Sequence, residues 1–157
     1  MKQETKQNIA HFATVNAYAL SISTKQSVEI ASFIRNRKIS QAKSLLSEVI
    51  NKKRAVPFKR YNRDTGHKPG KIASGRYPEK ASKEFIKLLS ALEANAEYKG
   101  LDSKNLVISE VIANKGTQQL HPGRHRGRVM KRTHIKIVAK EVEDDRKKVP
   151  ERKNKWI

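Results

Sequence analysis

There is no cysteine among the 157 residues, which excludes disulfide scaffolds and any zinc site that relies on thiolate ligands. Aromatic residues make up only 6% of the chain and apolar residues 36%, so a core is affordable but thin. No apolar run approaches the ~18 residues that a membrane-spanning helix requires. The polar start, Met1 to Gln7, leads into no continuous apolar stretch, so no secretory signal is expected and cytoplasmic residence follows. Acids are scarce as well: 15 Asp and Glu stand against 35 Lys and Arg, a formal charge of +20. A small body with that much charge of one sign repels itself unless a polyanion neutralises it. Nucleic acid, with its dense line of phosphates, is the leading partner.

Chemistry-bearing constellations are also missing. His121 and His125 have the four-residue offset of a helical ligand pair, but Pro122 and Gly123 between them deny the helix. With His11, His67 and His134 scattered, no metal and no cofactor are expected. The acids cluster in the C-terminal tail and on expected helix exteriors, at Glu29, Glu48, Glu84 and Glu93, where pairing with Lys and Arg is the expected role. No nucleophile elbow, Ser-His-Asp spacing or phosphate-binding glycine loop occurs. The chain therefore reads as a binding protein and not as an enzyme.

What is present is a short run of periodic elements. From His11 to Leu20 the chain alternates as a strand, with the small residues Ala13, Val15, Ala17 and Ala19 on one face. Ser23 is an expected N-cap for a helix carrying Val28, Ala31 and Ile34, ending near Arg35–Lys38, where cations suit the dipole. Ser40 is the expected cap of a second helix bearing Ala42, Leu45, Leu46 and Val49. Pro78 and Glu79 open a third, whose stripe runs through Ala81, Phe85, Leu88, Leu89, Leu92 and Ala96 to a stop at Gly100. Leu106–Ala113 and Val129–Lys140 read as the two strands of a hairpin, the second with Val129, Thr133, Ile135, Ile137 and Ala139 on one face. The connection between them, 115–128, is longer than the two to five residues of an ordinary hairpin turn, so the ribbon is expected to extend past the body.

Two basic stretches interrupt this pattern. Lys52 to Tyr77 holds nine Lys or Arg against the single acid Asp64, is broken at Pro57, Gly66, Pro69, Gly70 and Gly75, and shows no period. It is expected as a basic loop that orders along phosphates. The hairpin connection carries no acid at all. Planar groups are interleaved with the cations, as in Phe58-Lys59-Arg60-Tyr61 and Arg124-His125-Arg126, which suits stacking on the splayed bases of folded RNA. Residues 1–140 are thus read as one RNA-binding domain with an insertion at 52–77 and a hairpin at 106–140. Residues 141–157 form a charged tail ending near Trp156, read as a frayed terminus. A nonspecific compaction protein using the same charge on duplex DNA is the competing reading. An RNA-modifying enzyme is the third, and it lacks a pocket of titratable groups.

The order of motifs resembles one family. Arg76-Tyr77-Pro78-Glu79-Lys80-Ala81-Ser82-Lys83 opens the long helix and Glu93-Ala94-Asn95-Ala96-Glu97 lies near its end. Gly100-Leu101-Asp102 and Asn105-Leu106 follow, then Arg126-Gly127-Arg128, Lys131-Arg132 and His134-Ile135. From Ala10 to Lys140 the chain resembles the universal large-subunit ribosomal protein twenty-two family, seventeen in the eukaryotic numbering. The segment from Val56-Pro57-Phe58-Lys59 through Gly66-His67-Lys68 and on to Arg76-Tyr77-Pro78-Glu79-Lys80 resembles the insertion of its archaeal and eukaryotic branch.

That resemblance implies an α+β fold, with a three-helix layer packed on a small three-stranded antiparallel sheet and two strands prolonged as a long hairpin. It implies a structural constituent of the ribosome that binds large-subunit ribosomal RNA, supports its assembly, meets neighbouring ribosomal proteins, and lines the nascent-peptide exit tunnel. On the body, Lys25, Arg35 and Arg37 are expected on RNA. On the insertion, Lys52, Lys53, Arg54, Lys59 and Arg60 are expected there, with Arg63, Lys68, Lys71 and Arg76. Lys115, Arg124, Arg126, Arg128, Lys131 and Arg132 follow on the hairpin. The tip, with Gln118, Gln119, Leu120, His121, Arg124 and His125, is expected to face the tunnel and the nascent polypeptide.

Overall fold

A computed structural model describes residues 12–142. His11 and the tail beyond Val142, with Trp156, lie outside the described residues. Three helices cover one face of an antiparallel sheet ordered β1-β5-β4, where β1 is Phe12–Leu20, β4 is Leu106–Lys115 and β5 is Thr133–Glu141. The helices are α1, Thr24–Ile34, α2, Ile39–Ile50, and α3, Glu79–Tyr98. This is the α+β architecture that the family resemblance implies. A second, two-stranded ladder joins β2, Val56–Pro57, to β3, Gly75–Arg76.

The core forms where the apolar stripes meet. Phe85, Leu89, Leu92 and Ala96 of α3, Ile30 and Ile34 of α1, and Leu46 and Val49 of α2 are fully enclosed. They pack over Ile108 of β4 and over Ile135, Ile137 and Ala139 of β5, whose odd-numbered face is buried as its alternation predicts. Each large side chain of this kind contributes roughly 1.5–3 kcal/mol by leaving water. The small-residue face of β1 holds at Ala13, which is enclosed, and at Val15, which packs against the core. It fails at Ala19, which is exposed and takes a positive φ of 54°, because the β1–β5 register shifts between Ala17 and Leu20.

The helix boundaries follow local chemistry with two corrections. Ser23 stands at the N-cap of α1, yet no side-chain cap bond forms: Ser27 donates both its N–H and its hydroxyl to the Ser23 carbonyl, each at 2.9 Å. The N-cap of α2 is Lys38 and not Ser40, since Ile39 is needed as the first buried residue of the helix. At the end of α3, Gly100 has φ 73°, its N–H bonds the Glu97 carbonyl, and the Leu101 N–H reaches back to Ala96. These paired bonds form a Schellman cap, closed by the buried Leu101, and only glycine takes that backbone without strain.

The join between α1 and α2 also covers an exposed sheet edge. Asn36 donates to the Ile108 carbonyl at 2.9 Å, and the Ile108 N–H donates to Arg37 at 3.0 Å, so the linker satisfies part of the free side of β4. Arg37 Nε also bonds the Phe33 carbonyl at 2.9 Å, a cation at the helix end as expected.

The second hairpin strand is shorter than its expected span, beginning at Thr133 and not at Val129. Val129 lies exposed in an isolated bridge to Leu120. Thr133 fixes the boundary from within: it is buried, donates to the Ile22 carbonyl at 2.9 Å, and shares a 2.9 Å hydroxyl contact with Thr24.

Candidate nucleic-acid interface

The segment 52–77, expected to lack regular structure, is folded onto the body. Val56 and Phe58 are buried, and Phe58 donates its N–H to Ser74 at 2.9 Å. Beyond the β2–β3 ladder, His67 bridges Ser74, and Lys68 donates to the Ala73 carbonyl at 3.0 Å. Two apolar anchors and a short ladder therefore hold a stretch whose composition reads as loop.

The residue that sequence reasoning missed is Glu29. It was expected on a helix exterior, paired with a cation, but it is only 2% exposed. Its Oε1 accepts the N–H groups of Arg60 at 2.9 Å and Tyr61 at 2.8 Å, and its Oε2 accepts that of Lys59 at 3.1 Å. Three charge-assisted bonds offset the cost of burying the carboxylate. No local signal marks Glu29, because its partners lie on another element. The other three acids behave as expected: Glu48 pairs with Arg54 at 2.7 Å, Glu84 with Lys87 at 3.1 Å and Glu93 with Lys43 at 2.5 Å.

Between α1 and the insertion lies a cleft of about 630 Å³. Arg37, Lys53, Arg54, Lys59 and Lys71 line it, with Phe33, Pro57, Pro69 and Ile72 as apolar walls. All five cations are among those expected on RNA, and the fold gathers them from the α1–α2 join, the turn after α2 and both arms of the insertion. Glu29 is the one carboxylate in the lining, and its oxygens are already taken by the amides. The opening therefore presents net positive charge against a partly apolar wall, a combination chemically suited to a phosphodiester with its sugar.

A second group lies beside the cleft. Lys25 Nζ and Arg60 Cζ stand 5.7 and 5.6 Å from the centroid of the Tyr61 ring. Arg76 lies 5.7 Å from the Phe58 ring and Lys68 5.7 Å from the Tyr77 ring, so the interleaving of cations and aromatics seen in the sequence becomes a set of cation–π contacts. Lys52 pairs with Glu79 at 3.4 Å and Arg63 with Asp64 at 3.7 Å, both exposed and of small energetic weight. Arg35 donates to the Val111 carbonyl at 3.2 Å.

The hairpin carries the third group. Cross-strand bonds continue past the named strands, from Gly116 to Arg132 at 2.9 Å, Met130 to Gln119 at 2.7 Å and His121 to Arg128 at 2.9 Å. Every residue from Gln119 to Val129 is exposed, including Arg124, Arg126 and Arg128; Lys131 and Lys115 are exposed too, and Gln118 and Arg132 half-buried. The root of the ribbon is tied to β1. Arg132 donates to the Ala19 carbonyl at 3.0 Å, Ala19 donates to His134 Nδ1 at 3.1 Å, and Tyr18 meets the His134 ring edge-on at 5.6 Å. A Cβ at Gly116 would come within 2.8 Å of His134 Nε2, so a side chain there displaces the imidazole.

None of the eighteen cations expected on RNA is buried. Among the described residues, no group of three His, Asp or Glu is arranged to hold a metal ion, and no helix is long and apolar enough to cross a membrane. As a class, the chain is a small α+β body that carries its exposed cations on a cleft and on a ribbon.

The family profile of ribosomal protein L22p/L17e matches residues 15–140, and the chain belongs to that family. It is 43% identical over 140 residues to the large ribosomal subunit protein uL22 of Methanoregula boonei, covering 84% of this chain and 91% of the relative. The protein of that name from Archaeoglobus fulgidus is 45% identical over 134 residues, covering 81% and 86%. That from Cenarchaeum symbiosum is 46% identical over 127 residues, covering 76% and 83%. The chain is accordingly a structural, non-enzymatic protein of the cytoplasmic ribosome.

Proposed function

We propose that the protein binds large-subunit ribosomal RNA through the α1–insertion cleft and the hairpin, supports the assembly of that RNA, and lines the nascent-peptide exit tunnel with its hairpin tip. The observation that carries this reading is the convergence of Arg37, Lys53, Arg54, Lys59 and Lys71 on one cleft whose carboxylate is satisfied internally. Residues 1–140 act as one RNA-binding domain, and the charged segment 141–157 follows it. Phosphate contacts in the cleft fix the body on the RNA, while Lys25, Arg60 and Tyr61 offer a stacking plane flanked by charge. Lys115, Arg124, Arg126, Arg128, Lys131 and Arg132 carry the ribbon along RNA to a tip formed by Gln118, Gln119, Leu120, His121, Arg124 and His125. At the tip the exposed, mostly uncharged side chains meet the nascent polypeptide, and the outer surface abuts neighbouring ribosomal proteins.

Filter binding tests the reading. Structured large-subunit RNA, single-stranded RNA and duplex DNA are titrated at several salt concentrations. Retention of the structured RNA above the other two is expected, with a log–log salt slope of about −0.7 to −0.9 for each phosphate contact. Equal retention of all three sinks the proposal in favour of nonspecific compaction.

A further inference from the structure

We infer that Glu29 is a positioning residue for RNA: its buried carboxylate clamps three successive backbone amides and so presets the geometry in which Lys59 and Arg60 meet phosphate. This rests on the RNA-binding reading above and adds to it what ties the insertion to α1. An acid at the wall of a phosphate-binding cleft is at first sight a defect, since its charge repels the ligand. Here both oxygens are occupied, by Lys59 N–H at 3.1 Å, Arg60 N–H at 2.9 Å and Tyr61 N–H at 2.8 Å. Three consecutive amides converging on one carboxylate tie the backbone of residues 59–61 to α1.

The consequence reaches the side chains. Once the three peptide units are fixed, the Cα–Cβ directions of Lys59 and Arg60 are fixed with them. Lys59 then lines the cleft, and Arg60 stands at 5.6 Å from the Tyr61 ring that Lys25 also approaches. The neighbouring Phe58 is buried, so the segment is pinned on its apolar side as well. A cation held in its binding position loses less conformational freedom on meeting phosphate, which strengthens binding without any added contact.

The sign of one substitution separates this role from simple electrostatics. Glu29→Gln removes a negative charge from the cleft, and by charge alone it tightens RNA binding. As a clamp it does the opposite, because the amide side chain offers one acceptor in place of two and turns an NH2 toward backbone donors.

The full-length protein is examined by amide hydrogen exchange in the free state and by filter binding to structured large-subunit RNA over a salt series. In the unsubstituted chain the amides of residues 59–61 are expected to be protected. In Glu29→Gln they exchange at least about tenfold faster, as expected when a local opening is eased. RNA affinity falls about threefold to tenfold from lost preorganisation, with an unchanged salt slope because the same cations still contact phosphate. Glu29→Asp keeps the charge but withdraws it by one methylene, and is expected to show the same two losses; it serves as the test where the Gln variant does not fold. Unprotected amides in the parent chain, or equal or tighter RNA binding by either folded variant, overturn the inference. A parent chain that retains duplex DNA as well as it retains the RNA sinks the RNA reading instead, while the exchange data still report on the clamp.

Discussion

The insertion and the hairpin connection are alike in composition and differ in how they are held. Both are rich in Lys and Arg, both are punctuated by Gly and Pro, and neither shows a period. The insertion nevertheless has Val56 and Phe58 in the core, a two-stranded ladder, and three amides on a buried carboxylate. The hairpin connection has an exposed run from Gln119 to Val129 and is held by bonds between its own two arms. The difference teaches that charge sets where a segment binds, while one or two buried side chains set whether it is fixed beforehand.

The largest effect that can break this contrast lies in the anchor. Phe58→Ala is expected to destabilise the protein by about 3–4 kcal/mol, through lost burial and the cavity left behind. Chemical denaturation measures it, and a loss below about 1 kcal/mol would mean that the insertion is not pinned by its apolar side. Next in size is the cleft. Replacing Lys53, Lys59 and Lys71 together by Ala should weaken RNA binding by one to two decades, reducing the salt slope by about one unit for each phosphate left without its cation. An unaltered slope would remove the cleft from the phosphate path.

Gly116→Ala probes the root of the ribbon. Its new Cβ collides with His134 Nε2, so a cost of about 1–2 kcal/mol is expected, together with disruption of the edge-on packing between Tyr18 and His134. Thermal unfolding and the ring resonances of Tyr18 read both. The smallest loss is expected from shortening the ribbon itself. Removing residues 117–131 and closing the gap with a two-residue turn should leave the body folded with no net loss of stability, since a loop about three halvings shorter returns up to about 1.8 kcal/mol of closure entropy. Circular dichroism showing an unfolded body would contradict the division between anchored core and exposed ribbon.

Much of the body was legible because burial leaves a periodic trace. The stripe Phe85, Leu89, Leu92 and Ala96 and the alternation Ile135, Ile137 and Ala139 are local patterns, and each became the buried face it foretold. The cap at Gly100 was equally readable, because the αL backbone there selects glycine. Less legible were the N-cap of α2, where burying Ile39 outweighs the capping preference of Ser40, and the strand limit at Thr133, which depends on distant partners at Ile22 and Thr24. Of the candidate site, the sequence supplied the cations one by one. It did not show that Arg37, Lys53, Arg54, Lys59 and Lys71 share an opening, nor that Glu29 is buried behind them.

The family resemblance therefore added the α+β class, while composition and periodicity alone determined the helix stripes, the sheet's inner face and the surplus of positive charge. These follow from local spacing and from counting charges, and neither needs a partner in space. Tertiary structure alone decided which basic residues converge, which acid is shielded by backbone amides, and which of two similar loops is anchored. Hydrogen bonds and packing between residues far apart in the chain have no repeat for a local pattern to reveal.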